Sequence, residues 1–497
     1  MAISVKKNII YNYVGQFYTM GISILILPLF LKVIGPEAYG VIAFFMMAQG
    51  WMTILDMGMS PTLNREIAAN KEKVNNEKKK YQLLTLIKSL KVLFLIISLL
   101  LVLLSYAYSN SIAEKWLNYN VLSDELVSLS ILLIGIIISI RWFGGLYRSA
   151  INGYEEQVWL NKFNIAFTTL KHPISLAILY FLNNDLLIFF YYQLIISLAE
   201  VLFLSAKLTK CLPKYNDKIP FFSIQEILRI KSFAGITAVS AILWVFLTQF
   251  DRLLMSKYLT LEEFGYFSLV VTISSGIMML SGPVSVAILP RITALYNSDN
   301  KNQVVELFMK ATSLVSVTIL PIAVIIIVMP EKILFFWTGN LEIASWGAEI
   351  LAIYSLGSLC IVYSAFLHYI QFANGNLKYH LRYGLVSSLI SIPLIYYSAV
   401  YYSTLGVAIV WLIRSAIGLV LWAPFVFYKF LPSYYKKWIL NGFIYYLIVD
   451  IFIVFMTRNL MSQIDERLYL SICFGLLLSG LFVINFYIYK FLNKNRV

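Results

Sequence analysis

Fourteen apolar runs, each long enough to cross a bilayer as a helix, constrain this chain more than any other feature. They fall at about 9–34, 40–63, 83–108, 126–147, 158–182, 186–206, 232–256, 264–289, 306–329, 346–372, 383–402, 404–428, 439–457 and 469–489. The hydrocarbon core offers no water to pair backbone groups, so such runs are expected to be helices, and the chain an all-α polytopic membrane protein. Composition agrees: 60% of the 497 residues are hydrophobic and 13% are charged, far from the balance of soluble domains. Met1–Lys7 leads directly into the first run without a small-residue cleavage site, so no cleaved signal peptide is expected. Pro28, Pro173, Pro283, Pro321 and Pro393 lie inside runs, where neighbouring helices can satisfy the freed backbone groups.

The net charge is +14, and its distribution predicts topology. With the N-terminus inside, 29 lysines and arginines fall on inner segments, among them Lys78–Lys80 and Lys207–Lys218, and 6 on outer ones: Lys32, Lys115, Lys257, Lys332, Arg458 and Arg467. The positive-inside rule then places both termini in the cytoplasm. This accounts for most of the basic excess, and no nucleic-acid partner is expected. The longest connections, 64–82 and 207–231, are inner; the longest outer one is 109–125. No loop is large enough for a soluble domain. Cys211, Cys360 and Cys473 show no metal spacing, the three histidines form no HExxH, and there is no GxxxxGK[ST] loop. No catalytic residue, metal or cofactor is expected.

One stretch occurs twice. Leu31–Glu66 contains Lys32, Glu37, Tyr39, Gly40 and Arg65; residues 256–291 repeat the order as Lys257, Glu263, Phe264, Gly265 and Arg291. The offset is 225 at the glycine and 226 at the arginine. A second match, Tyr147–Asn152–Gly153 with Tyr369–Asn374–Gly375, has an offset of 222. Spans 1–6 therefore repeat as spans 7–12 in the same orientation, with any substrate cavity expected between the copies. The expected divisions are 1–228 for an N-terminal lobe, 229–430 for a C-terminal lobe, and 431–497 for spans 13–14 and a cytoplasmic tail.

Polar residues follow helical spacing inside the apolar runs. Asn8, Asn12, Gln16, Thr19 and Ser23 lie on one face of span one; Gln49, Thr53, Asp56, Ser60 and Asn64 on one face of span two. Thr237, Ser240, Thr248 and Asp251 line span seven. Such faces are costly against lipid, so they meet other helices or line a wet cavity, and the second reading is preferred for their length. Arg141, Arg148, Lys171 and Arg414 sit in or at the ends of spans. A row of cations suits an anionic ligand, a pyrophosphate above all. The alternatives are a positive-inside anchor for Arg148, an ion pair with an acid such as Glu200 for Arg141, and snorkelling or a carboxylate partner for Lys171. Asp56, Glu200 and Asp251 are candidates for H⁺ or Na⁺ coupling. Asp251–Arg252 also reads as an interfacial ion pair, and Asp450 stands alone in span thirteen.

At GPEAYGV, ILDMGMSP, LNREIA and GLYRSAINGYEEQ, and at KYLTLEEFG with Asp251 before it, the chain resembles Wzx-type polysaccharide flippases of the multidrug/oligosaccharidyl-lipid/polysaccharide exporter superfamily. The likeness runs through the first six spans into spans seven and eight. It implies a two-lobed helical bundle that moves an undecaprenyl-pyrophosphate-linked oligosaccharide, an O-antigen or related surface-polysaccharide unit, from the cytoplasmic to the periplasmic leaflet by alternating access. It also implies a bacterial inner-membrane location, a lipid-linked substrate, ion or potential coupling, and other polysaccharide-assembly proteins as candidate partners. Many O-unit flippases have twelve spans; the two extra here resemble lipid II flippases. Cations lining the cavity serve the anionic carrier in such proteins, and Arg141, Arg148, Lys171 and Arg414 are this chain's positional candidates. A drug/cation antiporter of the same superfamily would favour an acidic, aromatic cavity, whereas buried cations here match the acids in number. A membrane polymerase or ligase would need a larger outer loop.

Overall fold

The computed structural model of the chain describes residues 5–70, 77–182, 184–215, 218–297, 301–464 and 466–494. Lys71, Lys73 and Arg496 of the basic segments lie outside them, as do the side chains of Asn8 and Asn12. Twenty α-helices are described. They are α1 (Val5–Leu25), α2 (Leu27–Ile34), α3 (Pro36–Leu55), α4 (Met59–Asn70), α5 (Glu77–Trp116), α6 (Asp124–Gly153), α7 (Gln157–Thr169), α8 (Ser175–Phe181), α9 (Leu186–Cys211), α10 (Ile224–Tyr258), α11 (Leu261–Asn297), α12 (Lys301–Thr318), α13 (Leu320–Val328), α14 (Pro330–Thr338), α15 (Leu341–Ala373), α16 (Lys378–Ile417), α17 (Ala423–Phe430), α18 (Tyr435–Ile439), α19 (Tyr445–Ser462) and α20 (Arg467–Lys494). Among the described residues the only strand-like pairing is a single bridge, Asn118 with Thr260.

Among the described residues, eleven helical segments are long and apolar enough to cross a membrane, and twelve if the bent pair Asn302–Thr318 and Leu320–Val328 is one span. Two features connect this count with the fourteen runs in the sequence. One segment, Lys378–Phe430, has 53 residues, about 80 Å of helix against a core of about 30 Å. Ser403, at φ 51°, breaks it into two spans. The other is α7–α8, joined through a π-helical turn at Leu170–Ile174 that contains Lys171, His172 and Pro173. Proline has no N–H to donate, and the wider turn accommodates its ring.

Local chemistry sets the other breaks. Gly35 takes φ 86° and Pro36 opens α3, giving a tight turn between α2 and α3. The second run was expected to be one helix over 40–63; instead it breaks after Leu55. Met57 (φ 44°) and Gly58 (φ 68°) form the break. The Asp56 carboxylate accepts the Ser60 N–H at 3.1 Å and its hydroxyl at 2.5 Å, capping α4.

The chain divides into two compact units, Met1–Gly265 and Tyr266–Val497. In the first, α6 packs against α5, α9 and α4, and α10 lies along α3, α4 and α5. Leu63, Ile67, Leu86, Leu90, Phe94, Leu146, Ala150 and Leu204 are fully buried there. The expected 228/229 division falls within α10, whose contacts are with α3, α4 and α5. In the second unit α15 packs against α14, α16 and α13, and α19 against α13 and α20.

The turns after α6 and α15 repeat bond for bond. Tyr154, Glu155 and Glu156 donate to the carbonyls of Ala150, Asn152 and Ile151; Asn374, Gly375 and Asn376 donate to those of Ile370, Phe372 and Gln371. Glu155 (φ 61°) and Gly375 (φ 71°) hold the same left-handed position. The conformational offset is thus 220, as for Pro173 and Pro393, whereas the Asn-Gly letters match at 222. The backbone requirement is at Gly375 in the second copy and at Glu155, not Gly153, in the first.

Candidate functional site

Arg141 and Arg148 lie two turns apart on α6. Gln193, Ser197 and Glu200 lie on one face of α9, spaced four and three, and that face packs against α6. The π-helical turn brings Lys171 beside them, and its carbonyl accepts the Gln193 amide at 2.7 Å. Glu200, buried, is the hub: one carboxylate oxygen pairs with Arg148 and the other with Lys171. Arg148 also donates to Asn164 of α7.

Arg141 is solvated by neutral oxygens. Its guanidinium donates to Ser197 Oγ at 2.8 Å, Gln49 Oε1 at 2.7 Å and Gln193 Oε1 at 2.5 Å, and lies 5.1 Å from the Phe45 ring centre. The geometry therefore joins three expected cations, Gln49 and Glu200 in one network. The carboxylate pairs with Arg148 and Lys171, while Arg141 takes amide and hydroxyl partners. Three cations over one carboxylate leave a formal excess of two positive charges inside a bundle of apolar helices.

Beside Arg148 the network opens into a cleft of about 360 Å³, lined by Arg148, Ser149, Asn152, Gln157, Leu160, Asn161 and Asn164. Asn161 reaches close to α1: a side chain at Gly15 would meet its Oδ1 at 2.6 Å. The cleft thus presents a guanidinium, a hydroxyl and four side-chain amides, groups that bind phosphate and carbohydrate oxygens.

The other expected residues lie elsewhere. Gln16 and Thr53 are exposed, the Thr53 hydroxyl turning back to the Gly50 carbonyl at 3.1 Å. Asp56 caps α4. Asn64 is half-buried beneath Gly153, its carbonyl 2.9 Å from where a Gly153 side chain would begin. Asp251 is buried and accepts the Arg252 N–H at 2.8 Å. Arg414 belongs to the second unit, 4.6 Å over the Trp411 ring. Asn12 lies outside the described side chains.

Sequence reasoning missed Gln193, Ser197, Asn161 and Asn164. The four-three spacing of Gln193, Ser197 and Glu200, and that of Gln157, Asn161 and Asn164, is the signal that would have found them. At the conformational offset of 220, Arg141, Arg148 and Lys171 correspond to Ile361, His368 and Ser391. The cation cluster belongs to the first copy.

Residues 5–296, more than half of the chain, match the family model described as polysaccharide biosynthesis protein. Residues 237–397 match the MatE model. A Shigella flexneri protein named "Putative O-antigen transporter" is 24% identical over 425 residues, 83% of this chain and 95% of that protein. Among solved structures, the lipid II flippase MurJ in an inward closed conformation aligns with a TM-score of 0.74 and 17% identity, over 97% of this chain and 98% of that one. An inward-facing multidrug resistance MATE family transporter of the MOP superfamily aligns with a TM-score of 0.60 and 15% identity, over 85% and 96% of the two chains. At these identities the structural likeness is one of fold.

Proposed function

Because this chain belongs to the polysaccharide biosynthesis protein family, we propose that it is a multi-pass membrane flippase for lipid-linked saccharides. Its substrate in this reading is an undecaprenyl-pyrophosphate-linked O-antigen or related surface-polysaccharide unit. The unit passes from the cytoplasmic to the periplasmic leaflet of a bacterial inner membrane, and both termini of the protein are cytoplasmic. The relatives are named as transporters and flippases, and the activity is transport, not bond chemistry.

The observation that carries the reading is the half-buried cluster of Arg141, Arg148 and Lys171 around the single buried carboxylate of Glu200. A pyrophosphate bears about two negative charges, and moving these through hydrocarbon unaided costs many kcal/mol. A preorganised site with two surplus positive charges offsets that cost. Arg148, at the mouth of the polar cleft, is placed to exchange Glu200 for a phosphate oxygen, and the amides beside it suit the first sugar. Alternating exposure of the site to the two faces, driven by H⁺ or Na⁺ exchange or by the membrane potential, completes the cycle. Other polysaccharide-assembly proteins would supply and consume the lipid-linked unit.

The test is an assay of lipid-linked oligosaccharide in each leaflet. Arg141→Ala and Lys171→Ala should leave units on the cytoplasmic side; translocation at the normal rate would remove the cluster from the mechanism. The MatE match over 237–397 favours a second reading, a drug/cation antiporter. Drug sensitivity in a deletion strain with normal surface polysaccharide would select it.

A further inference from the structure

In the first unit Asp56, Glu200 and Asp251 each have a close partner: the Ser60 cap, the Arg148 and Lys171 cations, and the Arg252 N–H. Asp450, in the second unit, is placed differently. It lies fifteen residues beyond Tyr435 in the 28-residue span Tyr435–Ser462, near mid-depth, and is fully buried. No cation pairs with it among the described residues; its one polar partner with a side-chain bond is Asn485. Around the pair, α13 brings only apolar side chains. Ser316 of α12, Tyr363 of α15 and the Gly442 carbonyl, from a π-helical turn at Leu440–Ile444, lie beside it, as does Tyr446 of α19. The charged groups of α14, Glu331 and Lys332, belong to the other end of α20: Lys332 donates to the Ile464 carbonyl and Arg467 to that of Phe336, and Arg467 is about 27 Å along the helix from Asn485.

A bare carboxylate in such surroundings is costly, and its amide partner has the matching defect. Asn485 Nδ2 donates to both oxygens of Asp450, at 3.0 and 3.1 Å. Asn485 Oδ1, on the same carbon, is buried and accepts no hydrogen bond among the described residues. One proton on Asp450 resolves both: it removes the charge and supplies the donor that Oδ1 lacks. Acid and amide then pair through two bonds, O–H to Oδ1 and Nδ2–H to the other carboxyl oxygen, after a small turn of the amide. A metal cation of the oxygen-binding kind takes about six ligands. Here the Ser316 and Tyr363 hydroxyls and the Gly442 carbonyl are bonded to one another, so the geometry favours the proton.

We propose that Asp450 and Asn485 form a proton-binding site that joins the last two helices to α12. This rests on the flippase reading and names its coupling ion. Uptake turns the carboxylate and one H⁺ into a carboxylic acid and closes the acid–amide pair. Release returns the same proton and leaves a carboxylate that favours looser packing of α19 and α20, in which water reaches it. The protonation state of one side chain thereby selects between two arrangements of helices that lie outside the repeated copies.

The first measurement is infrared spectroscopy of the full chain in phosphatidylcholine nanodiscs at neutral pH. The wild type should show a carboxylic-acid carbonyl band that shifts in deuterium oxide and is missing from Asp450→Asn, which keeps the shape of the pair. Asp450→Glu should restore such a band at a shifted frequency. An Asp450→Asn spectrum that matches the wild type in this region overturns the proposal. The second measurement is transport of lipid-linked oligosaccharide in proteoliposomes. A pH gradient should speed the wild type about tenfold, within the usual range of coupling between two sites, and Asp450→Asn should be indifferent to the gradient. A gradient response kept by Asp450→Asn, or a sodium gradient that replaces the pH gradient, overturns the proton site and leaves the flippase reading standing. The Asp450 band in a wild-type protein that moves no lipid-linked saccharide under any gradient refutes the flippase reading alone.

Discussion

Gly40 and Gly265, the matching glycines of the two sequence copies, pack against one another's surroundings. A side chain on Gly265 would begin 3.4 Å from the Gly40 nitrogen and 3.1 Å from Tyr39 Cδ1. One on Gly40 would run into the Leu261 carbonyl, with the carbonyl carbon 2.6 Å away. The duplicated motif thus marks a close backbone approach between α3 and the start of α11.

Gly40→Ala should therefore be the more damaging of two equal changes. Its obstacle is backbone, which cannot rotate away, and overpacking of this kind costs about 1–3 kcal/mol. Gly265→Ala meets the edge of a tyrosine ring, which can shift by a few tenths of an ångström. Melting of the detergent-solubilised variants, followed by tryptophan fluorescence, should show a clear drop for the first and a small one for the second. Equal losses would mean that the approach is not as described.

Glu200 is shared by Arg148 and Lys171, so removing its charge strands both. Glu200→Gln should destabilise the first unit by about 3 kcal/mol, the usual cost of breaking a buried pair from one side. Lys171→Met should cost less, because Arg148 still pairs with the carboxylate. The double variant Glu200→Gln/Lys171→Met should recover part of the loss of Glu200→Gln. Melting temperatures of the three variants check this, and an additive double variant would show that the two groups do not share a network.

The sequence carried the fold further than the site. Span positions follow from uninterrupted apolar length, which needs no knowledge of partners. The break at Asp56–Gly58 was less legible, because its cause is a carboxylate turning back onto Ser60 inside a run that still reads as apolar. The cations were visible as letters, but pairing was not. Arg141, Arg148 and Lys171 are equally eligible for Glu200 by spacing along their own helices. Which two reach it depends on how α6 packs on α9 and on the extra residue in the π-helical turn that carries Lys171. Register within the repeat had the same weakness: Asn152–Gly153 and Asn374–Gly375 match as letters, while the turns match two residues away.

Glu37, singled out in the sequence only as part of the repeated stretch, holds a loop. Its carboxylate accepts the backbone N–H of Asn120, Val121 and Leu122, the last two at 2.8 Å, and the residue is buried. Three donors on one ionised acceptor are charge-assisted bonds. Glu37→Ala should cost about 2 kcal/mol and should speed amide hydrogen exchange at 120–122 well above that of flanking helices α5 and α6. Exchange unchanged at these three amides would show that other groups hold the loop.

Asp450, an acid with no partner visible in the sequence, finds one in the last helix. Asn485 Nδ2 donates to both its carboxylate oxygens, at 3.0 and 3.1 Å, and reaches the Ser316 carbonyl at 3.4 Å. Both residues are fully buried. Ser316 Oγ lies 2.5 Å from the Tyr363 hydroxyl and donates to the Gly442 carbonyl, which a π-helical turn at Leu440–Ile444 presents. Through this network the last two helices are fastened to α12 and α15 by polar contacts that lipid cannot replace. Asn485→Leu removes the donor and leaves the carboxyl buried in apolar surroundings, so it should cost about 2–3 kcal/mol. Asp450→Asn keeps the shape and can still accept from Asn485, so its cost should stay below about 1 kcal/mol. The readouts are the melting temperature and the rate at which protease releases α19–α20 from the solubilised protein. Asn485→Leu should lower the first and raise the second; a larger effect from Asp450→Asn would mean that the carboxylate's charge, and not its hydrogen bonding, holds the helices in place.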